Sequence, residues 1–521
     1  MMINSNRKKL PIGIQTFQKI IKGGYYYVDK TKFAYQLIEQ GNYYFLSRPR
    51  RFGKSLFLDT LKELFESNES LFQELYVHDK WDWHSSNPVI RISFGDGVIK
   101  SRQELDTRIR YLLAEQRESL GLSENQAPDI AGEFSDLIKD THNHYRKKVV
   151  ILVDEYDKPI LDNLTDSPIA TEVRDGLKNL YSVIKGADPY LRFCLLTGVS
   201  KFSKVSLFSG LNNLNDITLY EPYGSVCGYT ETDIDTVFAP ELDGLNRSQI
   251  RQWYNGYNWV GEGVYNPFDI LLLFQKRQFA PYWFESATPT FLVNVLAERG
   301  LYTPQLSQLQ TNLTLLGKFD VADIATEALL FQTGYLTIKS IAQPLPNKYV
   351  YTLGYPNKEV EISLNEALLP IYGQQSHEIT RHQSNLIEAL QHADFDLLEA
   401  HLKSLFASLP HDWYRNNPIA KYEGHYASVF YSHFAALGLD LTVEDASNNG
   451  KVDMALVFNG QVLLFEFKVV EQIPDGSALQ QLIDRGYADK YRSRDLPIYL
   501  IGVEFSKERR QIIAFDIKPA E

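Results

Sequence analysis

The chain is poor in cysteine, has no excess of positive charge and contains no long apolar run. Its two cysteines, Cys194 in a predicted strand and Cys227 in a loop, cannot build a disulfide framework or a cysteine zinc site. A reducing compartment fits that usage. No run of 18 apolar residues occurs, and the opening MMINSNRKKLPIG lacks the apolar stretch of a signal sequence. Neither a membrane span nor secretion is therefore expected, and a cytoplasmic protein is. The formal net charge of −12 argues against indiscriminate coating of nucleic acid. Residues 411–521 hold 12 Lys and Arg against 16 Asp and Glu, so contact with nucleic acid must use local patches. Lys490, Arg492 and Arg494 form one candidate patch, and Lys507, Arg509 and Arg510 another; both fit solvated faces equally well. There is no fixed-period repeat, heptad run or low-complexity tract, and His142 and His144 lack further metal-ligand companions.

What the chain does have is length and apolar material. Its 521 residues, 44% hydrophobic and 13% aromatic, suffice for two or three cores. Near the C-terminus, KVDMALVFNGQVLLFEFKVV carries Asn459-Gly460 between two apolar runs, the signature of a two-residue hairpin turn. Residues whose numbers sum to 919 then face each other. Asp453 falls opposite Glu466, with Cβ atoms roughly 5 Å apart, and Lys468 lies two residues on along the same face. Val452, Met454, Leu456 and Phe458 with Leu463, Phe465, Phe467 and Val469 make the expected apolar face. Directly opposed like charges destabilise a hairpin. Lys468 offsets part of that, and a bound Mg²⁺ would offset more, because hard cations prefer carboxylate oxygens. On a solvated face the same trio would be an ordinary surface cluster; the register and the apolar surroundings favour a metal site for hydrolysis of a phosphodiester.

Near the N-terminus, NYYFLSRPRRFGKSLFLDTLKELF reads as strand, loop and amphipathic helix, with Gly53-Lys54-Ser55 opening the helix. This is the back half of a phosphate-binding loop: helix N–H groups favour phosphate, Lys54 reaches the terminal phosphates and Ser55 ligates Mg²⁺. Arg48 stands where the first glycine of GxxxxGK[ST] is usual. About a hundred residues on, KKVVILVDEYDKP reads as a buried parallel strand ending in Asp154, a Mg²⁺-coordinating acid, and Glu155, a water-activating acid. The next apolar strand, LRFCLLTGV, ends at Thr197, a position suited to sensing the γ-phosphate.

The C-terminal order of elements resembles the PD-(D/E)xK nuclease superfamily. A helix over Tyr422–Leu437 carries Glu423 where many members have a helical metal-binding Glu. After the hairpin, SALQQLIDRGYADKY matches the following helix of similar nucleases through Gln481, Tyr487 and Tyr491, and Val452 replaces the usual proline. The first half resembles the bacterial and archaeal AAA-ATPase-like family found fused to such nucleases. The matching stretches are LPIGIQTFQKI, YYYVDKTKF, RPRRFGKSLFLDTL, ILVDEYDKPI, TGVSKFSKVSLFSGLNNL, YNGYN with YNPFDIL, and FQTGYLTIK. They include the Arg-rich loop, so the resemblance implies that Arg48, Arg50 and Arg51 belong to a nucleotide site with Gly53, Lys54 and Ser55.

The expected fold is α/β, with three parts. A P-loop (ASCE/AAA-like) parallel-sheet domain with a helical lid spans 1–285, a helical, winged-helix-like middle region spans 286–410, and a restriction-endonuclease-like α/β domain spans 415–521. Pro410 to Pro418 reads as a linker. ATP and Mg²⁺ are the expected cofactors, with Mn²⁺ as a substitute at the nuclease site. Nucleic acid, DNA ahead of RNA, is the expected partner, and homo-oligomerisation stays open. Two functions remain: an ATP-regulated nuclease, or a nucleotide-switched protein that binds nucleic acid or a partner without cutting. The retained Asp453, Glu466 and Lys468 favour the first. A role in defence against foreign DNA is an association with this architecture.

Overall fold

A computed structural model describes the chain apart from residues 1–6, 125–126, 202–212, 288–291, 293–294, 297–298, 300–302, 317–323, 373–375, 409–422, 448–449, 472, 510 and 521. The chain divides into two compact units, Met1–Ala287 with Gln310–Asn357, and Thr288–Leu309 with Lys358–Glu521. The expected middle region over 286–410 is therefore not one body. Its strand pair belongs with the first unit, and its later helices supply the core of the second. The linker expected at Pro410–Pro418 lies outside the described residues.

The first unit is built on a parallel sheet of β1 (Tyr43–Ser47), β2 (Val89–Ser93), β3 (Val149–Asp154), β4 (Leu191–Gly198) and β5 (Asn215–Asp216), in the order β2-β3-β4-β1-β5. All six residues of β3 are buried, as expected of a strand covered on both faces. Helices Arg102–Ser119, Ile130–Tyr145 and Ser167–Gly186 begin at Ser101, Asp129 and Asp166, whose side chains cap the N–H groups of Glu104, Gly132 and Ile169. The order sets β4 between β1 and β3. The loop after β1, the acids ending β3 and Thr197 on β4 are thereby gathered at one edge, the C-terminal ends of parallel strands where ligands bind. The same unit holds the strand pair β7 (Thr337–Leu345) and β8 (Lys348–Gly354), with helix Thr326–Thr333 just before β7; β8 lies between β7 and the short β6 (Leu309–Thr311).

The second unit carries β9 (Asp440–Ser447), β10 (Gly450–Phe458), β11 (Gln461–Val470), β12 (Ile498–Ser506) and β13 (Ile512–Pro519), in the order β13-β12-β11-β10-β9. The hairpin register runs from Met454↔Phe465 to Phe458↔Gln461, as the 919 rule predicts. Asn459 and Gly460 both have positive φ, the demand of a type I′ turn. β11 and β12 are parallel, so the chain must cross over the sheet between them, and helix Ser477–Asp484 makes that crossing. One face packs Met454, Leu456, Leu463, Phe465 and Phe467 against Phe430 and Phe434 of helix Glu423–Ala436. The other packs Ala455, Val462 and Leu464 against Leu482, Tyr487 and Tyr491. Val452 joins this second core rather than the first, contrary to the alternation read from sequence. The expected single helix after the hairpin is also corrected: it ends at Asp484, turns at Gly486 and resumes as a 3₁₀ helix over Tyr487–Arg494.

Candidate functional site

Two sites arise, one in each unit. In the first, the loop Arg48–Phe52 leads from β1 into helix Lys54–Phe65. Aromatic side chains hold it in place. The Phe52 ring stands edge-on to Tyr257 at 4.7 Å and Trp259 at 5.2 Å, and Trp283 Nε1 donates to the Arg50 carbonyl at 3.0 Å. Lys54 is buried, and its ammonium donates to the Arg48 and Pro49 carbonyls at 2.9 Å each. Burial pulls its pKa down, against the nearby Asp154 and Glu155. Asp154 accepts a hydrogen bond from Thr197 Oγ1 at 2.9 Å, so the residue expected to sense phosphate also aims the acid expected to hold Mg²⁺. Glu155 sits at φ 51°, and burial raises its carboxyl pKa, opposed by Lys54 and Arg50. Ser55 is half-buried in the first turn of the helix.

The side chain of Arg48 is fully buried, donates to the carbonyls of Ser47, Thr218, Tyr223 and Gly224, and lies 4.3 Å from the Trp259 ring. These bonds brace the loop. Arg51 stacks over Phe268 at 4.6 Å. Asp157 was not singled out in the sequence. It is fully buried and accepts from the N–H groups of Val199 and Ser200 and from the Ser200 hydroxyl, tying the end of β3 to the end of β4. Its signal was a second Asp in DEYDKP, just past the end of the apolar strand.

Beside Gly53 opens a cleft walled by Tyr27, Val28, Leu56, Cys227 and Tyr229, without a carboxylate in its lining. It adjoins the helix N-terminus, and its walls are mostly aromatic and apolar.

In the second unit, Asp453 accepts a hydrogen bond from the Phe467 N–H at 2.8 Å. Glu466 is 1% exposed. Its Oε1 accepts from Gln481 Nε2 and lies 3.3 Å from Lys468 Nζ, while its Oε2 has no hydrogen-bond partner. Burial first, and Asp453 second, push its carboxyl up to about 7 against the pull of Lys468. An orphaned carboxylate oxygen facing a second acid is where a divalent cation would fit. Among the described residues, though, no group of three or more His, Cys, Asp and Glu side chains is gathered closely enough to hold an ion unaided. Glu423 opens helix Glu423–Ala436, but its side chain lies outside the described residues. Gln481 reaches the site, whereas Tyr487 packs into the second core.

The basic patches are largely committed within the chain. Lys490 pairs with Asp445, Arg492 with Asp489 and Lys507 with Glu471, and Arg494 lies over the Tyr491 ring. Arg510 lies outside the described residues.

A parallel sheet with a phosphate loop, joined to a mixed sheet bearing the D…ExK acids, defines a P-loop ATPase fold coupled to a nuclease fold. Residues 11–208 match the family described as predicted AAA-ATPase, and residues 421–515 match the PD-(D/E)XK nuclease superfamily. The chain belongs to the AAA-ATPase-like family that carries a C-terminal PD-(D/E)XK domain. It is similar to the "uncharacterized protein in vnfD 5'region" of Azotobacter chroococcum mcd 1, with 61% identity over 514 residues, covering 98% of this chain and 99% of that one. No helix among the described residues is long and apolar enough to cross a membrane.

Proposed function

We propose that the chain binds and hydrolyses ATP, and that its second unit cleaves nucleic acid, DNA in preference to RNA, with Mg²⁺ under nucleotide control. The observation that carries this reading is Glu466: buried, flanked by Asp453 and Lys468, and left with one unpartnered oxygen. Most buried side-chain polar atoms have a partner, so an oxygen left without one is consistent with a place for an ion. Asp453 is fixed by a backbone N–H, and Gln481 orients Glu466 from the crossing helix. Lys468 stands beside the pair with an ammonium able to stabilise negative charge developing on a phosphodiester. A divalent cation held by Asp453 and Glu466, with Glu423 as a third donor, would polarise the phosphate and lower the pKa of its bound water.

At the first site the triphosphate would lie along the N-terminus of helix Lys54–Phe65, with its base in the cleft by Tyr27 and Tyr229. Lys54 would exchange the Arg48 and Pro49 carbonyls for phosphate oxygens. Asp154 and Ser55 are the residues suited to the Mg²⁺ that accompanies ATP. Glu155, its pKa raised by burial, is suited to accept a proton from the attacking water.

The test is incubation of the purified full chain with Mg²⁺ or Mn²⁺ and a panel of DNA and RNA forms, with and without ATP. Metal-dependent cutting that changes rate with ATP, and loses that dependence in Lys54→Ala, is expected. Tight nucleic-acid binding without cutting under every condition would replace the nuclease with a nucleotide-switched binding protein.

A further inference from the structure

Six residues, Gln332–Thr337, touch three separate parts of the phosphate site. Gln332 lies in the last turn of helix Thr326–Thr333 and is 5% exposed. Its Oε1 accepts from the Lys201 N–H at 2.7 Å, and its Nε2 donates to the Leu316 carbonyl at 2.7 Å. Lys201 follows Val199 and Ser200, which Asp157 binds to the end of β3, and its ammonium pairs with Asp216 of β5. Gln332 thus grips the segment that continues from Thr197. Two residues on, Gly334 has φ 93°, and a Cβ there would fall 2.7 Å from Pro49 Cγ and 3.3 Å from Trp283 Cζ2. Only glycine allows the chain both this φ and this approach to the phosphate loop. Thr337 Oγ1 accepts from the Asn258 N–H at 2.7 Å, and Asn258 stands between the Tyr257 and Trp259 that flank Phe52.

Lys54 supplies the moving part. Its ammonium is bound to the Pro49 carbonyl, and Pro49 is the residue on which Gly334 rests. A phosphate that draws Lys54 away releases that carbonyl and changes the footing of Gly334. A γ-phosphate adds a second influence, because it approaches Thr197 and so the segment held by Gln332. We propose that Gln332–Thr337 reads the difference between bound triphosphate and diphosphate and passes it to the β7–β8 hairpin, which starts at Thr337. Gln332 and Trp283 act as positioning residues in this reader. The inference rests on the nucleotide reading of the first site. The outer hairpin is open to solvent, with Ile341 39%, Leu345 64% and Tyr349 46% exposed, so a change there can be measured directly.

The experiment is hydrogen exchange of the hairpin peptides in the full chain, with Mg²⁺-ADP and with Mg²⁺-ADP plus beryllium fluoride. Nucleotide binding is followed in parallel with a fluorescent analogue. Wild type is expected to show hairpin exchange rates that differ about fivefold or more between the two states. Gln332→Ala is expected to bind both nucleotides and lose that difference. Gln332→Glu, which keeps the acceptor for Lys201, should restore part of it, and Trp283→Phe, which loses the donor to Arg50 and part of the ring beside Gly334, should reduce it. Equal hairpin exchange in wild type despite binding, or an undiminished difference in Gln332→Ala, overturns the proposal and leaves the nucleotide site standing. Absence of nucleotide binding in wild type overturns both, and the binding measurement separates the two failures.

Discussion

The two charged centres of this chain bear burial in opposite ways. In the first unit Lys54 is buried, yet its ammonium already donates to two loop carbonyls, and Asp154 is met by the Thr197 hydroxyl. In the second, Glu466 is as deeply buried and keeps one oxygen without a partner beside a second acid. An unpaired buried polar group costs about 1–3 kcal/mol, and more when charged. The first site spends these charges on internal bonds, so a phosphate of the proposed nucleotide would have to displace them. The second leaves one carboxylate oxygen unspent, where the proposed cation would gain most.

The comparison breaks most visibly at the chemistry. Asp453→Ala, Glu466→Ala and Lys468→Ala are each expected to lower metal-dependent cleavage by roughly 10²–10³-fold or more, with ATP affinity unchanged. Full cleavage by Asp453→Ala, measured on the best substrate, would sink the site assignment. Glu423→Ala is expected to cost less, as one donor among several.

Next in size is the nucleotide side. Lys54→Ala is expected to abolish ATP binding and with it any ATP-dependent thermal shift. Glu155→Gln should still bind while hydrolysing roughly 10²-fold more slowly. A wild type whose melting temperature ignores Mg²⁺-ATP would remove the phosphate-loop assignment.

A smaller effect sharpens the contrast through pH. Glu466 has a carboxyl raised to about 7 in the fold from an ordinary 4.5, so the folded chain holds a proton that the unfolded chain releases between those values. Metal-free stability of the second unit should therefore fall as pH rises from 4.5 through 7, by up to on the order of 3 kcal/mol. Added Mg²⁺ should recover part of that loss. Glu466→Gln should flatten the dependence, and chemical denaturation across pH measures it; an unchanged slope in that variant would remove Glu466 as its source.

The smallest effect comes from three buried histidines in the second unit. His382, His401 and His433 pack ring against ring, with centroids 5.0 Å apart for His382–His401 and 6.4 Å for His382–His433. Burial lowers all three; repulsion from His382 adds to it at His401, lowered to about 4, and repulsion from His382 and His401 adds to it at His433, lowered to about 3, while at His382 itself Arg381 opposes and Glu378 favours protonation. The unfolded chain takes up protons first, so stability present above pH 6.5 is lost as pH falls toward 4. His433→Leu should weaken that acid-side loss in the same denaturation series; a steeper loss would show that the cluster is not its cause.

Much of this was legible in the chain because it is local. Asn459-Gly460 imposes one turn, the turn imposes a register that runs to Met454↔Phe465, and Asp453 lies near enough to Glu466 to raise its carboxyl. Gly53-Lys54-Ser55 and the acid-ended strand were equally plain, since each is a continuous run of a few residues. The bracing bonds of Arg48 were not legible, because its position in the motif is local while its carbonyl partners are mostly distant: Thr218, Tyr223 and Gly224 lie some 170 residues away. Val452 was assigned to the wrong face because the strict alternation assumed from sequence does not hold there: Met454 and Leu456 pack in the first core and Val452 in the second.

Sequence alone determined which side chains are at hand for chemistry, since side-chain types, turn residues and strand periodicity are properties of short segments. Tertiary structure decided how those groups are poised. It buried Glu466 under the crossing helix, parked Lys54 on its own loop and set the Gln332–Thr337 segment against Pro49. Each of these depends on desolvation and on contacts between residues remote in the chain, which no local pattern records.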